Sequence, residues 1–155
     1  MKNKKDRGYI GVDVSISLVI IVILLPTIIA IAYNISKSNN DIKRKAQATS
    51  IATFVIEDIK SVLNEKIAED FETSDVIIQN AIYTSIQNAY SSDIQGTFDT
   101  QNGMFTLKKN EVLYRVHIIL ESSTEDNKTF NVIVEYPLGT RQEQVTITTT
   151  FNIKE

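Results

Sequence analysis

The sequence predicts an α+β fold in which a long N-terminal helix packs on a small antiparallel sheet, with one further short helix. Three observations predict it. A run of about 23 residues from Val14 to Ser36 carries no charged side chain and passes directly into a polar segment of helical period. From Thr97 onward the apolar period changes to two, in runs separated by short turn-like segments. Between these regions lies one short stripe of i, i+4 spacing.

The first element is a membrane span by length. At about 1.5 Å per residue, the uncharged run crosses a hydrocarbon core of about 30 Å. Lys2, Lys4, Lys5 and Arg7 against Asp6 give the first eight residues a net charge of +3; the whole chain is at -3, so the remainder is at -6. The basic head therefore stays cytoplasmic and the remainder lies outside. A removable signal peptide is disfavoured, because the run is longer than a usual h-region and the sequence continues beyond it in helical style. Asp13 stands at the lip of the run, and an ionised carboxylate at that depth costs several kcal/mol unless it is paired.

Beyond Tyr33 the helical period continues. Ile35, Ile42, Ala46, Thr49, Ala52, Val55 or Ile56, Ile59 and Leu63 recur mostly at three- and four-residue steps. A helix from Tyr9 to Lys66 is about 85 Å long. Pro26 removes one backbone hydrogen bond within it, so a kink is expected there. Two readings of that kink stand: simple tolerance of Pro in a membrane helix, and a bend used when the helix changes surroundings.

Glu72-Thr73-Ser74-Asp75 reads as a break and N-cap region. After it Ile78, Ile82, Ile86 and Tyr90 mark the short helix. Asn102-Gly103 lies between strand-like runs and is a strong hairpin signal. Val112, Tyr114, Val116, Ile118 and Leu120 form one inward row. Phe130, Val132, Val134 and Tyr136 form the next, and Val145, Ile147, Thr149, Phe151 and Ile153 the last. The "SSTEDNK" and "PLGT" segments are the intervening turns, and short turns between consecutive strands make an antiparallel meander.

The chemistry of the chain points away from catalysis. The chain contains no Cys, which excludes disulfides and thiolate metal sites. His117 is the only His and alternates with inward residues on a strand. No Ser or Thr stands in a nucleophile-elbow context, and the scattered Gly form no phosphate loop. Glu57-Asp58 and Glu69-Asp70 read as solvated helix face, and "SSTEDN" lacks the spacing of a Ca²⁺ loop. No enzyme, cofactor or metal is expected. The acidic remainder disfavours nucleic acid, the Lys43-Arg44-Lys45 cluster being the one basic candidate. The "NIS" at Asn34 and "NKT" at Asn127 match the glycosylation acceptor pattern, a tripeptide common by chance.

The start of the chain, "KNKKDRG" followed by "YIGVDVSISLVIIVILLP", resembles the leader and first helix of a type IV prepilin or pseudopilin. In that family a short basic leader ends in Gly, an aromatic residue opens the mature chain, and an acidic residue comes fifth after the cut. Gly8, Tyr9 and Asp13 occupy these places, with Tyr and Asp where Phe and Glu are usual. Gly11 stands where a branched aliphatic residue is usual, and Pro26 lies a little early for the family's helix-breaking Pro.

The resemblance implies a leader of residues 1–8 and a transmembrane or filament-core half of the helix over 9–36. It implies an amphipathic half over 37–67 and an extracytoplasmic head over 68–155. It also implies cleavage after Gly8 by a prepilin peptidase, methylation of the Tyr9 amino group, and pairing of Asp13 with an N-terminus, its own or a neighbour's. Other pilin subunits and an inner assembly platform would be the partners. The alternative is an uncleaved single-span anchor carrying an extracytoplasmic binding module, with Asp13 an interfacial residue solvated by headgroups.

Overall fold

The computed structural model describes residues 5–68, 74–124 and 126–152, and within the first helix side chains from Val14 to Glu65. Two helices, α1 (Lys5–Ala68) and α2 (Asp75–Ala89), precede four strands: β1 (Met104–Lys109), β2 (Val112–Ser123), β3 (Asn127–Leu138) and β4 (Arg141–Asn152). The strands form one antiparallel sheet in the order β1-β2-β3-β4, the predicted meander. The chain divides into two units, one ending at Ile42 and one beginning at Lys43.

In the second unit the strands alternate cleanly. Tyr114, Val116 and Ile118 on β2 and Phe130, Val132, Val134 and Tyr136 on β3 are buried, while their neighbours in sequence face the other way. Phe105 and Leu107 extend the buried face onto β1. On β4 the expected row is only half buried from Val145 to Phe151, because β4 is an edge; Ile153 lies outside the described residues.

Two helical stripes cover this face. On α1 it is Ala48, Ile51, Ala52, Val55, Ile59, Val62 and Leu63, which share one face at i, i+3 and i, i+4 spacings. On α2 it is Ile78, Ile82, Tyr83 and Ile86, with Tyr90 half buried at the C-cap. Ser74 is the α2 N-cap by position but makes no side-chain capping bond; Glu72 and Thr73 lie outside the described residues. The α1 stripe differs from the expected one in its upper part. Ile35, Ile42, Ala46 and Thr49 are exposed, because the helix turns Ala48 and Ile51 toward the sheet instead.

Asn102-Gly103 reverses the chain between two extended runs as expected, but in a longer turn than a two-residue one, with positive φ at Gly103 and not at Asn102; the turn between β1 and β2 was not foreseen. The β1–β2 hairpin closes at Asn110-Glu111, where Lys109 pairs with Val112 and both loop residues adopt positive φ, 50° and 62°. That is the conformation a two-residue hairpin needs to match strand twist. Asn102-Gly103 itself lies in a loop closed by Asp99, which exchanges backbone hydrogen bonds with Met104 at 2.8 and 3.1 Å. The Asp99 carboxylate accepts from the Asn102 amide and from the Gln101 and Asn102 backbone. The segment before it, Asp93–Asp99, lines the outer edge of β1 through bridges at Ile94–Leu107 and Asp99–Met104. One sheet edge is thus covered by the chain's own backbone.

Gly103 has φ +63°, and its carbonyl accepts from the Ile118 N–H at 3.0 Å. A Cβ there would collide with the Ile118 carbonyl oxygen and lie 2.6 Å from the Tyr83 hydroxyl. Gly103→Ala is expected to destabilise the fold by at least about 2 kcal/mol in urea unfolding, since neither the backbone nor the packed ring can yield cheaply. Glu111→Gly is expected to act oppositely. It relieves a left-handed non-Gly residue at the loss of only an exposed Lys108–Glu111 pair, for a gain of up to about 1 kcal/mol in the same assay.

Candidate functional site

The candidate residues lie on α1. Gly8, Tyr9 and Asp13 fall within its helical backbone, and their side chains lie outside the described residues. Pro26 lies inside the helix and does not end it. Immediately after it, the Thr27 hydroxyl donates to the Ile23 carbonyl at 3.0 Å, so that hydroxyl has an acceptor without water. Every described residue from Val14 to Asn40 is exposed, including Leu18, Ile23, Ile28 and Ile29 at 59 to 64%. The exposed, uncharged and mostly apolar part of it, Val14 to Ser36, is consistent with a single membrane-spanning segment.

In the second unit, polar contacts fix the lower helix on the sheet. Of the basic cluster Lys43-Arg44-Lys45, only Arg44 turns inward, its Nη1 donating to the Pro137 carbonyl at 2.9 Å. The Tyr114 hydroxyl donates to the Gln47 side-chain oxygen at 2.6 Å. Both contacts tie α1 to neighbouring strands.

A third polar group was not singled out in the sequence. Lys128 is 3% exposed, and its ammonium pairs with the Asp75 carboxylate at the start of α2 and donates to the Ser123 hydroxyl at 2.8 Å. These hydrogen bonds, from Lys128 first and Ser123 next, hold the Asp75 carboxyl below its ordinary range. Extending the β3 alternation backward from Phe130 would have placed Lys128 inward.

Glu57 and Asp58 are not simply a solvated pair. Asp58 is partly buried, and burial first and the Glu57 charge second push its carboxyl up. Beside it the Tyr90 hydroxyl is pushed up to about 12, by burial first and then by the charges of Asp58, Glu57 and Asp93. His117 is on the outward row of β2, half buried, opposite Met104 and Ile133. A depression of about 320 Å³ opens on the sheet, lined by Thr106, Leu113, Arg115, Glu135, Tyr136, Pro137 and Gln142; an Arg115–Glu135 pair of 3.5 Å lies along it. No group of three or more His, Asp or Glu among the described residues is placed to hold a metal.

Comparison with known proteins finds no matching family model, no similar curated protein and no similar solved structure. The architecture itself is pilin-like: a long N-terminal helix whose lower part covers a small antiparallel sheet.

The Lys128–Asp75 pair sets a pH dependence. The folded Asp75 carboxyl titrates below its unfolded value, so the pair contributes fully above about pH 4 and is lost as pH falls through the folded value. Asp75→Asn is expected to lower stability by about 1–3 kcal/mol at pH 7, less than for a fully enclosed pair because Asp75 is nearly half exposed. The difference from the parent should shrink as the pH is lowered to about 3, followed by denaturant unfolding across that range.

Proposed function

We propose that the chain is a structural subunit of a type IV pilus or a secretion-type pseudopilus. In this reading it is made as a prepilin, cut after Gly8, methylated on Tyr9 and assembled through α1. The observation that carries the reading is the exposed apolar helix from Val14 to Ile35, on the same α1 whose Ala48–Leu63 stretch is buried under the sheet. The Gly8, Tyr9 and Asp13 pattern at its start supports it.

The physical logic is a charge argument. Cleavage creates a positive amino group on Tyr9, four residues from Asp13 and in the same low-dielectric layer. Opposite charges there are far more stable together than apart, because either one left alone is buried unpaired. When the pairing crosses from one subunit to the next, it sets the axial register of the filament. The upper stripe of Ile35, Ile42, Ala46 and Thr49, which the head leaves uncovered, is then available to neighbouring helices. The peptidase, other pilin subunits and an inner platform are the partners, and the head is extracytoplasmic with residues 1–8 cytoplasmic before the cut.

Intact-mass measurement of the membrane-extracted chain, in cells with and without the peptidase, tests this. The expected mature chain starts at methylated Tyr9 only where the peptidase is present. Asp13→Asn should still be processed, while its incorporation into filaments falls at least about tenfold. A chain that retains Lys2–Gly8 in peptidase-competent cells would replace this reading with the uncleaved anchored module.

A further inference from the structure

Asn102 and Gly103 form a dipeptide with a chemistry of its own, and no other Asn in the chain precedes a Gly. The backbone nitrogen of the residue after an Asn can attack the side-chain amide carbon, and Gly, which has no side chain, hinders that attack least. The fold requires this Gly. Its φ is +63°, and a Cβ would lie 2.4 Å from the Ile118 carbonyl oxygen and 2.6 Å from the Tyr83 hydroxyl. Replacing the Gly is therefore not open to the chain as a way of removing the reactive pair. Asn102 is exposed, and the Gly103 N–H makes no hydrogen bond among the described residues. Water reaches the amide, and the nucleophile is not engaged elsewhere.

A second observation concerns what keeps the two apart. The Asn102 side-chain amide donates to Asp99 Oδ2 at 2.8 Å, and the Gln101 and Asn102 N–H groups donate to Asp99 Oδ1 at 3.0 and 3.2 Å. These bonds, that of the Asn102 side chain first, hold the Asp99 carboxyl below its ordinary range, so it is an anion at neutral pH. Attack needs the Asn102 side chain to swing free of Asp99 and the Gly103 nitrogen to lose its proton. The bonds to Asp99 oppose the first. Its negative charge opposes the second, because a new anion beside a like charge is disfavoured.

We infer that Asn102 is a site of spontaneous deamidation held in check by Asp99, and that the modified loop releases the Asp99–Met104 bridge from the β1 edge. The step balances with water alone. Hydroxide takes the Gly103 N–H proton, the nitrogen bonds to Asn102 Cγ, and the Cγ–Nδ2 bond breaks as ammonia leaves with a proton from water. Water then opens the five-membered imide at either carbonyl, giving an aspartate or an isoaspartate. The product carries a carboxylate where an amide had donated to Asp99, so attraction becomes repulsion between like charges. Asp99 and Met104 exchange their backbone bonds at the base of this same turn. The repulsion thus acts directly on the cover of the β1 edge. The inference depends neither on leader cleavage nor on filament assembly.

The test follows conversion of Asn102 by peptide mass in the full-length chain, purified in detergent and kept at mildly alkaline pH. A synthetic peptide of residues 100–105, which lacks Asp99, is the reference. Asn102 in the parent chain is expected to convert at least about tenfold more slowly than in the peptide, the factor one charge-assisted hydrogen bond supplies. Asp99→Ala should raise the rate at Asn102 at least about fivefold, and Asp99→Asn, which keeps an acceptor without the charge, by less. Conversion at Asn88 and Asn110 should stay unchanged in both variants, whereas general unfolding would raise it. Asn102→Asp carries the charge of the product. It should speed hydrogen exchange at the Asp99 and Met104 amides at least about tenfold while leaving Val132 and Val134 unaltered. Equal rates in chain and peptide, indifference of Asn102 to Asp99→Ala, a rise shared by Asn88 and Asn110 in both Asp99 variants, or unaltered exchange in Asn102→Asp would each overturn the inference.

Discussion

The sheet has one apolar face and cannot cover it unaided, and the rest of the second unit is arranged around that constraint. The inward rows of β1, β2 and β3 present Phe105, Leu107, Tyr114, Val116, Ile118, Phe130, Val132, Val134 and Tyr136. They are removed from water only because α1 and α2 lay matching stripes across them. Each large aliphatic or aromatic side chain so buried contributes about 1.5–3 kcal/mol, more than an exposed ion pair such as Lys108–Glu111 supplies. The polar contacts at the margin, Arg44 to Pro137, Tyr114 to Gln47 and Lys128 to Asp75, have a different role. They direct the helices to one placement on a surface that apolar contact alone would let them slide across.

The same helix has two kinds of surface. From Val14 to Ile35 its side chains are apolar on nearly every side, whereas from Ala48 to Leu63 they are apolar on one stripe only. That change from uniform to one-sided hydrophobicity is the physical signature of a chain that passes from lipid to a protein surface. Polar atoms within the lipid-like part need local answers, and Thr27 illustrates one, a bond back to the helix's own carbonyl.

Much of the head was legible because a strand buried on one face must alternate. Phe130 to Tyr136 could be assigned inward from sequence alone, as could Ile78, Ile82 and Ile86 on α2. The upper α1 stripe was misassigned for an equally physical reason. Ile42, Ala46 and Thr49 on one side and Ala48, Ile51 and Val55 on the other both satisfy a helical period, and only the position of the sheet decides between them. The Asn102-Gly103 turn was legible because Asn-Gly is the favoured turn pair, whereas the turn at Asn110-Glu111 was missed because it adopts positive φ against the preference of its second residue. Gly103 serves the turn and also the close approach to β2 and Tyr83. Of the candidate site, Gly8, Tyr9 and Asp13 were legible only as a pattern of residue identities, since their roles depend on an enzyme and on neighbours outside this chain. Asp75 and Lys128 were missed because a lone Lys at a strand start ordinarily reads as solvent-facing.

The two edges of the sheet are treated differently, and this has a consequence for how the protein can safely be handled. The β1 edge is lined by Asp93–Asp99 and carries Lys108 and Lys109. On β4, no second strand pairs among the described residues, and the nine residues from Gln144 to Asn152 carry no charge. Such an edge is a template for strand addition. Two β4 edges joined antiparallel would be related by a twofold axis normal to the sheet, which reverses every direction lying in its plane. The Lys43–Leu63 helices of the two copies would then run oppositely, both on the same face of one eight-stranded sheet. An uncharged, unpaired edge of nine residues thus makes the second unit prone to join edge to edge when concentrated.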